Sequence, residues 1–434
     1  MSEKTTVVVH PATNIEGGIR LPGDKSISHR YAMLGALAEG TTRLDNFSTG
    51  KDCASTLECL RELGCQSEMT QKGQTLSVII RGCNMQLSAP QRALNCGNSG
   101  STIRMMSGIL AGQPFSSELI GDASLSRRPM ARVIKPLTQM GAVIASAEGS
   151  RPPLHITGAK LHSIEYDMPV ASAQVEACLL FAGLFAEGET RVRGPVRTRD
   201  HSELAMRAFG AEVLRKGDEV SIRGGQRLRA IEGGVPGDIS SAAFFLCAAG
   251  LFPGSQLVID SLGLNPTRAR LLDFLIQLGV SIKVTQLEEL HGELVGTVQV
   301  EGGKLKGCKI AGGDTAALID EIPVLAAIAP YTTDGIEIRD AAELRVKESD
   351  RIAAVVRNLR VMGAEVEEFP DGLRVPGGQT LNGAQIETFD DHRIAMAFAV
   401  AGLRANGDTE IRGAECASIS FPGFFDLLES LTRR

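Results

Sequence analysis

The sequence predicts an α/β protein of two domains, each built from three copies of one helix-and-strand unit, with apolar helices inside and short sheets outside. Three observations carry this expectation. At 434 residues the chain is too long for one compact core. Six stretches of one pattern recur at intervals of roughly 65 to 80 residues, the mark of an internally repeated architecture. Between them lie amphipathic helical segments and short alternating strands.

The N-terminal "TTVVVHPATNIEGGIRL" reads as strands that precede the first helix and pair with the last units. The six repeated stretches are "PGDKSISHRYAMLGALAEG", "CGNSGSTIRMMSGILAGQPF", "VASAQVEACLLFAGLFAEG", "PGDISSAAFFLCAAGLFPG", "DTAALIDEIPVLAAIAPYTTDG" and "FDDHRIAMAFAVAGLRANG". Each opens near Gly, Ser, Asp or Asn, runs about three turns through Ala, Leu, Met and Phe, and mostly stops at Gly, as a capped helix does. Being apolar nearly all round, these helices are expected to be buried. A second helix with one polar face follows each, as in "TLECLRELGC", "ARVIKPLTQMGA", "SELAMRAFGA", "ARLLDFLIQLGV", "RIAAVVRNLRVMGA" and "FFDLLESL". Strands such as "TLSVIIRG", "PLHITG", "EVSIRGG" and "GLRVPGG" alternate apolar and polar residues. Three units around one helical core make a domain. The expected division is therefore residues 22–236 for units one to three, inserted into a discontinuous domain of 1–21 plus 237–434, with hinges near 21–22 and 232–237. A solenoid is the competing architecture, but its repeats are shorter and more numerous.

Composition excludes several function classes. A net charge of -6, no Trp and three Tyr leave neither the basic field nor the stacking platforms of a nucleic-acid surface. No run of about 18 apolar residues is present to span a bilayer, and "MSEKTTVVVH" lacks the layout of a secretion signal. A cytoplasmic monomer without membrane or nucleic-acid partners is expected. The nine cysteines are scattered, without a CxxC pair or a Cys/His cluster at zinc spacing, so they read as small buried thiols. No metal and no organic cofactor is implied.

The helix starts break a local rule. A helix N-terminus carries partial positive charge and unpaired N–H groups, so Asp and Glu stabilise it and cations cost a few tenths to about 1 kcal/mol. Here Lys25 and Arg30 open the first repeat, Arg104 the second, and His392 and Arg393 the sixth. Arg127, Arg128, Arg197, Arg199, Lys347 and Arg351 crowd the starts of second helices, with Lys347 and Arg351 four residues apart and expected on one helix face. A rule broken this often points to a compensating ligand, and the natural one is a small polyanion.

At this point "LPGDKSISHR", "GNSGSTIR", "GDASLSRRPM", "ASAQ", "NPTR", "LRVKESDR" and "DHRIAMAF", in this order and spacing, resemble the 5-enolpyruvylshikimate-3-phosphate synthase family over essentially the full chain. The resemblance implies an inverted α/β fold whose two domains close over the substrates. It also implies transfer of the carboxyvinyl group of phosphoenolpyruvate to the 5-hydroxyl of shikimate 3-phosphate, through a tetrahedral intermediate that loses phosphate. By the same resemblance Lys25, Ser26, Arg30, Ser172, Gln174, Arg199, Asp320 and Lys347 hold shikimate 3-phosphate. Lys25, Gly100, Arg128, Gln174, Arg351 and Arg393 hold phosphoenolpyruvate. Asp320 is the implied base for the hydroxyl, Glu348 the implied proton carrier at the methylene carbon, and Lys25 a relay or an electrostatic support. Glyphosate, which occupies the phosphoenolpyruvate site in this family, is expected to inhibit. Ala173, Glu343 and Ile419 depart from residues common in the family, which carries Ser, Asn and Lys there.

Rival readings are weaker on the residues. "GDKS" and "GNSGST" do not satisfy the P-loop pattern of a nucleotide kinase. The UDP-N-acetylglucosamine carboxyvinyltransferases share the fold but typically carry Lys-Asn where this chain has Lys25-Ser26. A phosphosugar-binding regulator needs neither Asp320 nor Glu348.

Overall fold

The computed structural model of the protein describes residues 5–73 and 75–434. The chain forms two compact units. One comprises the chain up to Leu21, Pro236–Glu288 and Leu294–Arg434; the other comprises Pro22–Val235 and Glu289–Glu293. The short return of Glu289–Glu293 has no counterpart in the sequence expectation, which drew crossings near 21–22 and 232–237.

Among the described residues each unit carries three sheets, and their topology repeats. In the Pro22–Val235 unit, a short strand lies parallel beside the strand that follows a buried helix, and a hairpin then continues the sheet antiparallel. Leu94–Asn95 pairs in this way with Ser116–Ile120, and Glu165–Asp167 with Glu189–Arg193. The first repeat borrows its parallel strand, Glu232–Gly234, from the far end of the unit, where it pairs with Thr41–Phe47. The other unit borrows similarly from the N-terminus. Asn14–Arg20 lies parallel to Gln256–Gly263 of the fourth repeat, and Thr6–Val9 lies antiparallel to Thr409–Arg412 of the sixth. Each unit is thus closed by a strand distant in sequence.

The apolar helices form the two cores. Every residue of Ile239–Gly250 and of His392–Gly402 is buried, as is Lys25–Leu37 from Ile27 onward. Burial on all sides follows from sequences with no polar face. The second helices bury one stripe: Lys51–Glu62 hides Asp52, Cys53, Thr56, Leu57, Cys59 and Leu60. Close approach is set by Gly108 in the helix Gly100–Ala111, where a Cβ would lie 2.1 Å from the Cys178 carbonyl oxygen of the helix Ala173–Gly183. A side chain at 108 would force these two helices apart.

Two expectations are corrected. The fifth repeat is not one helix but two, Gly313–Leu318 and Ile322–Ile328, interrupted at Ile319–Glu321. Pro323 at the second position of the later helix explains the break, because it has no N–H to donate to the Ile319 carbonyl four residues back and its ring crowds that carbonyl. Lys347 and Arg351 do not share a helix face either. Arg351 is the first residue of the helix Arg351–Val361, capped by Asp350, while Lys347 ends a short 3-10 turn before it in extended conformation. No helix among the described residues is long and apolar enough to cross a membrane.

Candidate active site

In the Pro22–Val235 unit Lys25 and Arg30 lie in the first two turns of one buried helix and Arg104 in the second turn of another, while Arg128 and Arg199 precede two amphipathic helices. Asp24 caps Lys25–Leu37 by accepting from the Ile27 N–H at 2.9 Å, so the cationic first turn keeps a proper cap. Lys25 Nζ then donates to Asp52 Oδ2 at 2.9 Å, a largely buried pair. Arg30 is tied to three elements: Nε donates to Ser202 Oγ at 2.8 Å, Nη1 to the Ser26 carbonyl at 2.9 Å and Nη2 to the Ala173 carbonyl at 3.5 Å. The Ala173 departure leaves this last contact intact, because the backbone supplies it. Burial pulls the Arg30 guanidinium down to about 10 despite support from Asp24 and Glu176, and Arg199 pulls the same way. Arg30 and Arg199 thus form a like-charged neighbourhood that an anion relieves.

Gln174, in the first turn of Ala173–Gly183, accepts from Arg104 Nη1 at 2.6 Å and donates to Ser101 Oγ at 2.9 Å. Arg128 Nη2 donates to Asn98 Oδ1 at 2.9 Å and to Ser124 Oγ at 3.2 Å. Ser172 caps its helix through the Val175 N–H. Gly100 lies among the guanidinium groups: a Cβ there would meet Arg104 Nη1 at 2.8 Å and Arg128 Nη1 at 3.3 Å. The side-chain space at Gly100 is therefore bounded by two cations.

Behind these groups runs a buried chain of hydrogen bonds. His29 Nδ1 lies 2.7 Å from Thr56 Oγ1, which lies 2.7 Å from Thr102 Oγ1, which donates to Ser99 Oγ at 2.8 Å. Each hydroxyl has one proton, so a donor at Thr102 makes Thr56 donate to Thr102 and His29 donate to Thr56. The network thereby assigns the His29 proton to Nδ1. Burial, then Lys25 and Arg30, hold His29 well below its ordinary 6.5 and keep it neutral. The chain joins the helices that carry Lys25, Asp52 and Gly100. We expect Thr56→Val, which keeps the shape and deletes the hydroxyl, to lower the unfolding free energy by about 1–3 kcal/mol. Thr56→Ser should recover most of it in urea titration, and equal stability of the two variants would remove the chain's role.

The other unit has its own constellation. Arg351 is 1% exposed and is held by Asp391 at 2.8 Å through Nε, by Glu348 at 2.6 Å and by Asp320 at 3.6 Å. Burial opposes its charge, but these carboxylates, Asp391 foremost, more than offset it. Asp391 also caps His392–Gly402 through the Arg393 N–H and accepts from Ser349 Oγ at 3.0 Å. Arg393 Nη1 donates to the Asp320 backbone carbonyl at 2.6 Å, with Nη2 3.9 Å from its carboxylate. Asp320 therefore stands in the helix break between two guanidinium groups. Lys347 is half-buried; burial lowers its ammonium from the ordinary 10.5, with Asp320 opposing and Arg351 assisting. Glu343 lies in the 3-10 turn before it, and Ile419 packs against the core of this unit.

Each unit thus brings its own share of the sequence-derived residues together: Lys25, Ser26, Arg30, Gly100, Arg128, Ser172, Gln174 and Arg199 in one, Asp320, Lys347, Glu348, Arg351 and Arg393 in the other. Arg127 is exposed, and Arg197 turns to Asp200 at 2.7 Å. Asp52, Asn98, Ser101, Ser202 and Asp391 were not legible as site residues. Asn98, Ser101 and Asp391 lie inside the motifs "GNSGSTIR" and "DHRIAMAF" without a role read for them, and Asp52 shows as the one charge on the buried stripe of its helix. Arg104 was noticed as a misplaced cation but given no partner.

A sequence model of the family described as EPSP synthase (3-phosphoshikimate 1-carboxyvinyltransferase) matches residues 9–428. The 3-phosphoshikimate 1-carboxyvinyltransferase of Koribacter versatilis is 61% identical over 429 residues, covering 99% of this chain and all of the relative. That of Solibacter usitatus is 56% identical over 98% of this chain and 99% of its own. Among solved structures, an EPSP synthase from Acinetobacter baumannii superposes with a TM-score of 0.87 at 41% identity, over 98% of both chains.

Proposed function

The chain belongs to the EPSP synthase family, and on that premise we infer that it transfers the carboxyvinyl group of phosphoenolpyruvate to the 5-hydroxyl of shikimate 3-phosphate, releasing phosphate, a step in aromatic amino acid biosynthesis. The observation that carries the reading to the residues is the clustering of buried cations near helix starts; at Arg30 the neighbouring carboxylates do not offset burial and Arg199. Each substrate bears a phosphate and a carboxylate, and guanidinium forks bind such anions through paired hydrogen bonds. Lys25, Ser26, Arg30, Ser172, Gln174, Arg199, Asp320 and Lys347 are proposed to hold shikimate 3-phosphate. Lys25, Gly100, Arg128, Gln174, Arg351 and Arg393 are proposed to hold phosphoenolpyruvate.

Asp320 is proposed to accept the proton of the attacking hydroxyl. Glu348 gives a proton to the methylene carbon of phosphoenolpyruvate, the neighbouring carbon becomes electrophilic, and the hydroxyl oxygen adds to it as its own proton passes to Asp320. The tetrahedral adduct then expels phosphate and loses a methyl proton. Glu348, paired with Arg351 at 2.6 Å, is proposed to take that proton back from the methyl group, acting as acid first and base second. Lys25, held by Asp52, supports the phosphate charge. Site, cytoplasmic location and closure of two domains hinged near 21–22 and 232–237 belong to this proposal. Small-angle scattering should show a smaller radius of gyration with shikimate 3-phosphate, and an unchanged radius would count against closure.

A phosphate-release assay tests the reaction. Shikimate 3-phosphate should trigger release from phosphoenolpyruvate, and UDP-N-acetylglucosamine should not; the reverse result assigns the chain to the other carboxyvinyl transfer. Gly100→Ala should raise the KM for phosphoenolpyruvate and weaken glyphosate inhibition together, because its methyl displaces the Arg104 and Arg128 guanidinium ends before it meets any ligand. An inhibition constant that stays fixed would refute this steric route.

A further inference from the structure

Five residues, Glu289–Glu293, group with Pro22–Val235 although the chain on both sides of them belongs to the other unit. They contain the turn between two adjacent strands of one sheet, Ser281–Leu290 and Glu293–Glu301. His291 and Gly292 both have positive φ, 51° and 84°, the geometry of a tight two-residue hairpin turn. None of the repeated motifs includes this tip.

Its side chains meet two helices of the shikimate 3-phosphate cradle. The Glu293 carboxylate lies 2.6 Å from His201 Nδ1, and these side chains are 2% and 3% exposed. His201 opens the helix His201–Ala208, two residues after Arg199 and directly before Ser202, whose hydroxyl accepts from Arg30 Nε at 2.8 Å. The His291 ring stands edge-on to Tyr31, centroids 6.1 Å apart, and Tyr31 is the residue after Arg30. His291 Nε2 is also 3.2 Å from the Glu232 carbonyl. A Cβ at Gly233 would sit 2.3 Å from the same nitrogen, so the tip is seated against the last strand of the unit. The tip therefore buttresses, at once, the helix that presents Arg30 and the helix start that presents Arg199.

We propose that Glu293 is a positioning residue for shikimate 3-phosphate: through His201 it fixes the start of the helix whose Ser202 orients Arg30 and whose preceding residues carry Arg199. The inference rests on the proposed assignment of Arg30 and Arg199 to that substrate. A buried carboxylate paired to an imidazole is costly to break from one side, because the remaining partner loses its hydrogen bond away from water. Removing it lets the helix start shift, and orientation of a charge fork tolerates little shift.

The test is steady-state kinetics of Glu293→Ala and Glu293→Gln, each substrate varied in turn, with calorimetric binding of shikimate 3-phosphate alone. Glu293→Ala is expected to raise the KM for shikimate 3-phosphate about tenfold, leaving that for phosphoenolpyruvate within about twofold. Glu293→Gln keeps an acceptor for the imidazole N–H and should restore most of the affinity. If Glu293→Ala does not fold, the glutamine variant alone decides through calorimetry: binding of shikimate 3-phosphate weakened by about twofold to threefold supports the assignment, and unchanged binding overturns it. Loss of thermal stability with the two KM values unchanged, or rising together, reduces Glu293 to a structural residue. Wild-type enzyme with no phosphate release in the presence of shikimate 3-phosphate would instead overturn the reaction itself, so the two failures are distinct.

Discussion

Replacing Asp320 by Asn is expected to lower kcat by about 10²- to 10⁴-fold, the usual contribution of a positioned base, while the KM for phosphoenolpyruvate changes little. The substitution keeps the shape of the side chain and leaves the Asp320 backbone carbonyl, which holds Arg393 Nη1 at 2.6 Å, untouched. What it removes is the carboxylate between Arg351 and Arg393, 3.6 and 3.9 Å from their nearest nitrogens. Proton transfer from the hydroxyl matters in the transition state and not in ground-state binding, so the loss belongs in kcat. Glu348→Gln should behave similarly for the proton moved at the methylene carbon, with an added effect on Arg351, its ion-pair partner. Phosphate-release kinetics with both substrates varied separates the cases. A near-normal kcat with a raised KM in the Asp320 variant would make that residue a binding group and leave the base unassigned.

Asp391→Ala should carry the largest loss of stability, about 3–5 kcal/mol, the range for breaking a buried ion pair from one side. Three losses coincide in this side chain. It neutralises Arg351 through two hydrogen bonds, at 2.8 and 3.2 Å. It caps the helix that carries Arg393, and it accepts from Ser349 Oγ. Urea unfolding monitored by circular dichroism would measure the change, and a loss below about 1 kcal/mol would show that Arg351 finds other partners. Acid should erode the same contribution. Burial pushes the Asp391 carboxyl up, but the pull of Arg351 wins and leaves it below its ordinary 3.8. A carboxyl depressed in the folded state contributes stability above its unfolded value, and that contribution disappears as pH falls through the folded one. In Asp391→Ala the acid limb of the stability profile should be correspondingly flatter.

Much of this was readable before any coordinates. Helices such as Ile239–Gly250 have no polar face, so burial on all sides followed from composition alone, and six of them at one spacing implied repeated units. The cations at Lys25, Arg128 and Arg393 were visible as violations of helix-end electrostatics. The break at Ile319–Glu321 was less legible, because Ala, Leu and Ile on both sides favour a continuous helix and only Pro323 spoke against it. That break sets Asp320 apart from the buried helix faces, where a carboxylate has somewhere to act.

The sequence by itself determined the repeat, the apolar helices, the capping residues and the excess of cations at helix starts, since each depends on residues within a few turns of one another. Only the tertiary structure decided which carboxylate holds which cation: Asp52 on Lys25, Asp391 on Arg351, Glu293 against His201. Those partners lie 27, 40 and 92 positions apart. Nothing in local spacing encodes such pairings; they exist because packing of apolar helices brings distant polar groups out of water together, where each must find a partner.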